Sequence, residues 1–175
     1  MFLEIGVGAK KVVHSVDDLY AEVGEEMAQA LPAIHCFTGN DYTCAFHGIG
    51  KKKAFTILKK RPNFIEAFRK IGDTFTVMYD LFPTVESFTC HLYGLGKYDS
   101  TDLARYYKFC TKDKCPEPQK LPPTQDALLC HLKRVSYATA VIKSSLIQSP
   151  AIPSPDRHGW TLEDGNSINV TSTNP

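Results

Sequence analysis

Short apolar runs open the chain. Phe2, Leu3, Ile5 and Val7 precede Gly8-Ala9-Lys10-Lys11, and Val12, Val13 and Val16 follow. This pattern predicts two short strands joined by a turn. A hairpin of that size is marginal alone and needs another layer to pack on. The chain therefore reads as starting in the middle of a sheet, with a portion expected upstream.

From Ser15 the period lengthens to that of helices. Ser15-Val16-Asp17-Asp18 resembles a capping box with Asp at the third position, and a short helix is expected to run to Gly24. A second helix begins near Glu25 with Met27, Ala28, Ala30 and Leu31, and Pro32 predicts a kink or a boundary. Residues 33–37 are apolar and lead into a turn at Asp41. The next helix runs from about Lys51 to Lys60, with Ala54, Ile57 and Leu58 on one face and Pro62 ending it. Asn63 with Glu66 predicts another cap pair, ahead of a stripe of Phe64, Ile65, Phe68 and Ile71 that Gly72 closes. Residues 84–93 form a helix with Val85, Phe88 and Leu92 inward, and residues 100–110 another, with Leu103, Tyr106 and Tyr107. After a Lys- and Pro-rich loop, Thr124 caps the longest helix. Its positions Leu128, Leu132, Val135, Thr139, Ile142 and Leu146 recur at alternating steps of four and three, an amphipathic seam. Beyond Ser149, Pro, Ser, Asn and Thr dominate, with Trp160 the one strong anchor, and residues 167–175 are expected to be disordered. The expected fold is mostly α with a small N-terminal β-hairpin.

Composition narrows the partners. The 175 residues carry a net charge of +1, so a nucleic-acid site must be a local patch. Residues 51–61 form one, with Lys51, Lys52, Lys53, Lys59, Lys60 and Arg61 and no acid. The N-terminus lacks the basic start of a secretory signal, and no apolar run is long enough to cross a bilayer. A nuclear or cytoplasmic protein without membrane attachment is expected. The six cysteines are scattered through apolar helical stretches, which favours reduced, partly buried thiols.

The chemistry concentrates in Gly39-Asn40-Asp41-Tyr42-Thr43 and Gly48-Ile49-Gly50-Lys51-Lys52-Lys53-Ala54. Asp41 is an oxygen donor suited to a hard metal ion, or simply the Asx residue of a turn. Gly48 and Gly50 permit positive φ and let backbone amides approach a phosphate. Three lysines at a helix N-terminus oppose the helix dipole, which suggests that an anion governs the composition there. The plainer reading is an inter-helix turn followed by solvated lysines. Cys110 and Cys115 with Cys130 and His131 lack regular zinc spacing. Cys90-His91 and Cys130-His131 are sequence neighbours on helices and point apart, so neither is expected to be a catalytic dyad.

The two-part motif resembles the junction of flap-endonuclease-type, PIN-like nucleases. There a Gly-x-Asp-Tyr turn ends the catalytic sheet, and Gly-Ile-Gly-x-Lys-x-Ala opens a DNA-binding helix-hairpin-helix. The resemblance covers about the first third of the chain. Residues 31–41, residues 121–126 and His158-Gly159-Trp160 further resemble a group of uncharacterised animal proteins, often similar to mobile-element derivatives, in which a Cys usually stands where this chain has Asn40. The resemblance implies that residues 1–41 are the C-terminal remnant of a nuclease-like α/β domain. Residues 42–148 would be a helix-hairpin-helix followed by a helical bundle, and residues 149–175 a largely flexible tail. It also implies that Asp41 is one carboxylate of a Mg²⁺ cluster whose other ligands lie upstream. Asp17, Asp18, Glu22, Glu25 and Glu26 match no catalytic position, so no catalytic set is complete. The function so implied is sequence-independent binding of DNA, with RNA as a further partner, through Gly48, Ile49, Gly50, Lys51, Lys52 and Lys53. Metal-dependent cleavage would need the missing half. The alternative is a protein–protein scaffold of mobile-element origin, using the longest helix or the Trp160 segment.

Overall fold

A computed structural model describes residues 1–111, 116–163 and 167–169. Among them 57% are helical, in seven α-helices, with a small antiparallel hairpin at the N-terminus. In that hairpin β1 (Phe2–Ile5) pairs with β2 (Val12–Ser15), Phe2 opposite Ser15 and Ile5 opposite Val12. Among the described residues no layer covers its apolar side chains: Phe2 is 76% exposed and Val7, between the strands, 87%.

Helix α1 (Val16–Val23) starts as its sequence dictates, with the Ser15 hydroxyl accepting from the Asp18 amide at 3.2 Å. Gly24, at φ +82°, turns the chain into α2 (Glu25–Phe37). Pro32 does not end α2. The apolar residues 33–37 are its last turns, because Met27, Ala30, Ile34 and Phe37 recur on one face and are buried between α4 (Pro62–Lys70) and α7 (Gln125–Lys143). Tertiary burial outweighs the one backbone hydrogen bond that proline forfeits.

Four phenylalanines fill the centre. Phe37 of α2, Phe64 and Phe68 of α4 and Phe88 of α5 (Phe82–Leu92) are almost wholly buried. Their rings meet edge to face, with centroids 5.2 Å apart for Phe37–Phe68, 4.8 Å for Phe68–Phe88 and 5.3 Å for Phe64–Phe88. This geometry suits the aromatic quadrupole and fixes three helices to one another. Helix α3 (Lys51–Leu58) adds Ala54 and Leu58 to the same core.

Two expected details differ. Helix α4 begins with Pro62 as its first residue and has no side-chain cap, so Asn63 lies inside it. Proline's missing N–H is harmless there, and its fixed φ starts the helix without Asn63. Helix α6 (Thr101–Cys110) buries Thr101 and Ala104 and leaves Leu103 and Tyr106 exposed. The cause is Glu86 of α5, a buried carboxylate that accepts from the Thr101 amide at 2.7 Å and from Gln125 Nε2 at 3.1 Å. It joins α5 to the positive ends of α6 and α7.

Helix α7 follows its expected seam only in part. The Thr124 hydroxyl caps it, accepting from the Ala127 amide, and Leu128, Leu132, Val135 and Thr139 are buried. Ile142 and Leu146 are 38% and 97% exposed. Past residue 149 the chain returns to α7: Trp160 is buried and meets Tyr137 edge to face at 5.5 Å. Strands β3 (Thr161–Glu163) and β4 (Ser167–Asn169) then pair, and residues 170–175 lie outside the described residues.

Gly72 permits the close approach of the chain after α4 to α7. Its φ is +82°, and a Cβ there would lie 2.5 Å from Thr139 Cγ2 and 2.9 Å from the Ala140 nitrogen. Gly94, at φ +73°, faces open space. Urea denaturation is expected to show Gly94→Ala losing about 1 kcal/mol from backbone strain alone. Gly72→Ala should lose about 2–4 kcal/mol, because overpacking adds to the strain. Equal losses would mean that the Gly72 contact with α7 carries no weight.

Candidate nucleic-acid interface

The last carbonyls of a helix have no intrahelical partner. At the C-terminus of α2 the Ile34 and Cys36 carbonyls accept the Thr38 and Gly39 amides at 3.0 and 3.2 Å, and side chains both near and far in sequence add to them. The Thr38 hydroxyl donates to the Ile34 carbonyl at 2.7 Å, and Thr43 Oγ1 donates to the Cys36 carbonyl at 2.5 Å. The Phe37 carbonyl receives His131 Nε2 of α7 at 2.9 Å. A carbonyl only accepts, so His131 carries its proton on Nε2. Lys51 Nζ reaches back to the Gly39 carbonyl at 2.5 Å and lies 3.5 Å from that of His35.

The turn between α2 and α3 is built on Asn40. Its Oδ1 accepts the Tyr42 and Thr43 amides at 2.9 and 3.0 Å, and its amide donates to Cys36 Sγ at 3.4 Å. Asn40, rather than Asp41, is therefore the Asx-turn residue. Asp41 is exposed and has no hydrogen bond or ion pair among the described residues. The same residues hold no group of three His, Cys, Asp or Glu side chains able to grip a metal ion. Three of the acids earlier in the sequence have partners of their own: Asp17 meets the Met1 amino group at 2.7 Å, Glu25 meets Gln29 at 3.0 Å and Glu26 meets Arg69 at 3.1 Å. A lone carboxylate does not make up the set that Mg²⁺ requires.

The glycine turn meets part of its expectation. Gly48 has φ +67°, whereas Gly50 has φ −100° and ψ 170°, extended backbone open to any residue. Gly50 is the N-cap of α3 and has no side chain to offer. Ile49 is buried, and its amide donates to the Phe46 carbonyl at 3.1 Å. The amides of Gly48, Gly50, Lys51 and Lys52 have no acceptor among the described residues, and a Cβ on either glycine would touch nothing within 4 Å. An anion can therefore approach these amides.

The six cations of residues 51–61 divide into two kinds. Lys51 is committed to the Gly39 carbonyl just past α2, with the His35 carbonyl 3.5 Å away. Lys52, Lys53, Lys59, Lys60 and Arg61 are exposed and form no ion pair among the described residues. Lys52 and Lys53 recur two helical turns later as Lys59 and Lys60, so their charges share one side of α3 and its C-terminal extension. Lys59 rests over the Phe55 ring at 5.6 Å, and Arg61 over Phe64 at 5.8 Å.

Neither Cys-His neighbour pair acts as a dyad. Burial, chiefly, pushes the Cys90 thiol up to about 12, and His91 Nδ1 lies 2.9 Å from the Ser87 carbonyl. Cys130 Sγ accepts from Arg134, while His131 is held on Phe37. For the zinc reading, Cys110 is exposed on α6 and Cys115 lies outside the described residues. His131, weighed in the sequence only beside Cys130, is thus a structural residue. A single helical histidine in an apolar seam announces no partner ninety-four positions away.

Two stability measurements test this capping. Lys51→Met keeps the aliphatic stem and removes the ammonium, and is expected to lose about 1 kcal/mol in urea denaturation. Lys52→Met should stay within about 0.5 kcal/mol of the parent, as surface changes do. Burial lowers the His131 pKa from 6.5 to about 4. The unfolded chain then binds the proton more readily than the folded one. This contribution to stability is complete above the unfolded value and is lost as pH falls from about 6.5 toward 4. From pH 7.5 to pH 5 the loss should be about 2 kcal/mol, and His131→Gln, which retains an N–H donor but cannot protonate, should flatten that slope.

No protein-family model, curated protein or solved structure matches this chain.

Proposed function

We propose that this chain binds nucleic acid along the phosphate backbone, DNA foremost and RNA as well, without reading its sequence. The observation that carries this reading is the pairing of two features on α3. Unpartnered amides at its N-terminus stand beside five exposed cations that no described carboxylate neutralises. Amides and a helix dipole favour a phosphate, and lysines supply long-range attraction. Such contacts position a strand and carry no base information. In this reading residues 48–50 serve as the hairpin of a helix-hairpin-helix, with the later helices as a bundle beside it, in a nuclear or cytoplasmic protein.

Cleavage is not part of the proposed activity of the isolated chain. Asp41 would contribute to a Mg²⁺-dependent nuclease centre only if another polypeptide supplied the remaining carboxylates. A scaffold function, mobile-element derived and free of nuclease or DNA-binding activity, is the second reading. The bare apolar hairpin, with Phe2, Val7 and Val13 all more than half exposed, favours it.

Fluorescence anisotropy with a labelled duplex and a scrambled duplex distinguishes the two. Equal affinities are expected, falling steeply with salt. Lys52→Glu with Lys53→Glu should weaken binding about tenfold or more and reduce the salt slope by about two. The fold should survive, because acids suit a helix N-terminus. Unchanged affinity in that variant would remove the α3 site, and no binding even at low salt would leave the scaffold. Cutting by the purified chain with Mg²⁺, lost in Asp41→Ala, would overturn the non-catalytic reading.

A further inference from the structure

Asp41, which no metal set absorbs, lines a cleft of about 700 Å³. Four segments build it: His35 of α2, the turn of residues 40–42, the last turns of α7 and residues 152–160. The volume lies in the range of small-molecule sites. Its walls are mainly apolar and aromatic, with Tyr42, Val141, Ile142, Ile152 and Trp160 among them. Ile142 and Ile152 remain 38% and 45% exposed, so the cleft leaves aliphatic surface in water. Covering it would be favourable.

Charge decides what would cover it. Among the described residues Asp41 is the only carboxylate lining the cleft, no lysine or arginine lines it, and His35 is its one basic side chain. Its neighbour Asn40 holds the turn through two backbone amides, so the position of Asp41 is set before any ligand arrives. The aromatic wall is held as well. Tyr137 donates from its hydroxyl to the Pro153 carbonyl at 2.8 Å and meets Trp160 at 5.5 Å. Ring faces attract cations, and an unpartnered carboxylate does so more strongly.

We propose that this cleft binds a small organic cation, an amine on an aromatic or aliphatic body. The body lies against Val141, Ile142, Ile152 and Trp160, and the ammonium pairs with Asp41. At a pH where His35 is neutral, the same arrangement disfavours carboxylates, which would meet the like charge of Asp41. The site is separate from the proposed phosphate contacts on α3, so each can fail without the other.

Trp160 is the only tryptophan, and its emission reports on the cleft alone. Phenethylamine, phenethyl alcohol and hydrocinnamate present similar bodies with positive, neutral and negative heads. Phenethylamine is expected to change Trp160 emission saturably and to bind about threefold to tenfold more tightly than the alcohol, the range of a partly exposed ion pair. Hydrocinnamate should bind more weakly than either. Asp41→Asn should abolish the preference for the amine while alcohol and DNA binding stay unchanged, and Ile142→Ala should weaken amine and alcohol alike. No saturable change with phenethylamine, equal affinity for amine and alcohol, or a preference that persists in Asp41→Asn would each overturn the proposal.

Discussion

The structure depends on how the C-terminus of α2 is closed. α2 is the central helix, and its last carbonyls lie against the phenylalanine core, where an unsatisfied polar group would cost about 1–3 kcal/mol. Thr38, Thr43 and His131 each donate to one of them, and Lys51 donates to the Gly39 carbonyl just beyond. Two of these donors follow α2 directly, one heads α3 and one sits on α7. A single helix end therefore fixes the turn, the start of α3 and the register of α7 together. The negative end of the α2 dipole also accounts for Lys51, whose charge sits at a helix start that does not favour it.

Neighbouring residues of one motif consequently have separate destinations. Asn40 closes the turn, Asp41 faces the cleft beside α7, Lys51 is spent on α2, and Lys52 and Lys53 are left to solvent. Ile49 and Ala54 sink into the core and hold α3 in place. A near-neutral chain thus has a cationic helix face and, a few residues away in sequence, a carboxylate in an apolar cleft. The two proposed binding activities follow from this separation of charges.

Most helices were legible because their signals are local. Ser15 and Thr124 cap where their side chains predict, and the stripe of Phe64 and Phe68 is buried as its spacing requires. Local signals failed where a competing local solution existed, as at Pro62 in place of an Asn63 cap. They failed too where burial across the fold outweighed them, as in α2 through Pro32 and in α6 around Glu86. At the candidate site the free amides and the exposed lysines of α3 were legible from glycine spacing and charge. The engagement of Lys51 was not, since it depends on where the Gly39 carbonyl comes to lie; the Asx turn is local, but Asp41 carries the same local signal as Asn40.

The sequence by itself determined the helices, the N-terminal hairpin and the cationic character of residues 51–61. Periodicity, capping and charge act over a few residues and need no partner. Only the tertiary structure decided that His131 and Lys51 close α2, that Glu86 organises α6, and that Asp41, Ile142 and Trp160 share a cleft. These groups lie far apart along the chain, and no residue type announces the distant carbonyl or cavity that packing will bring to it.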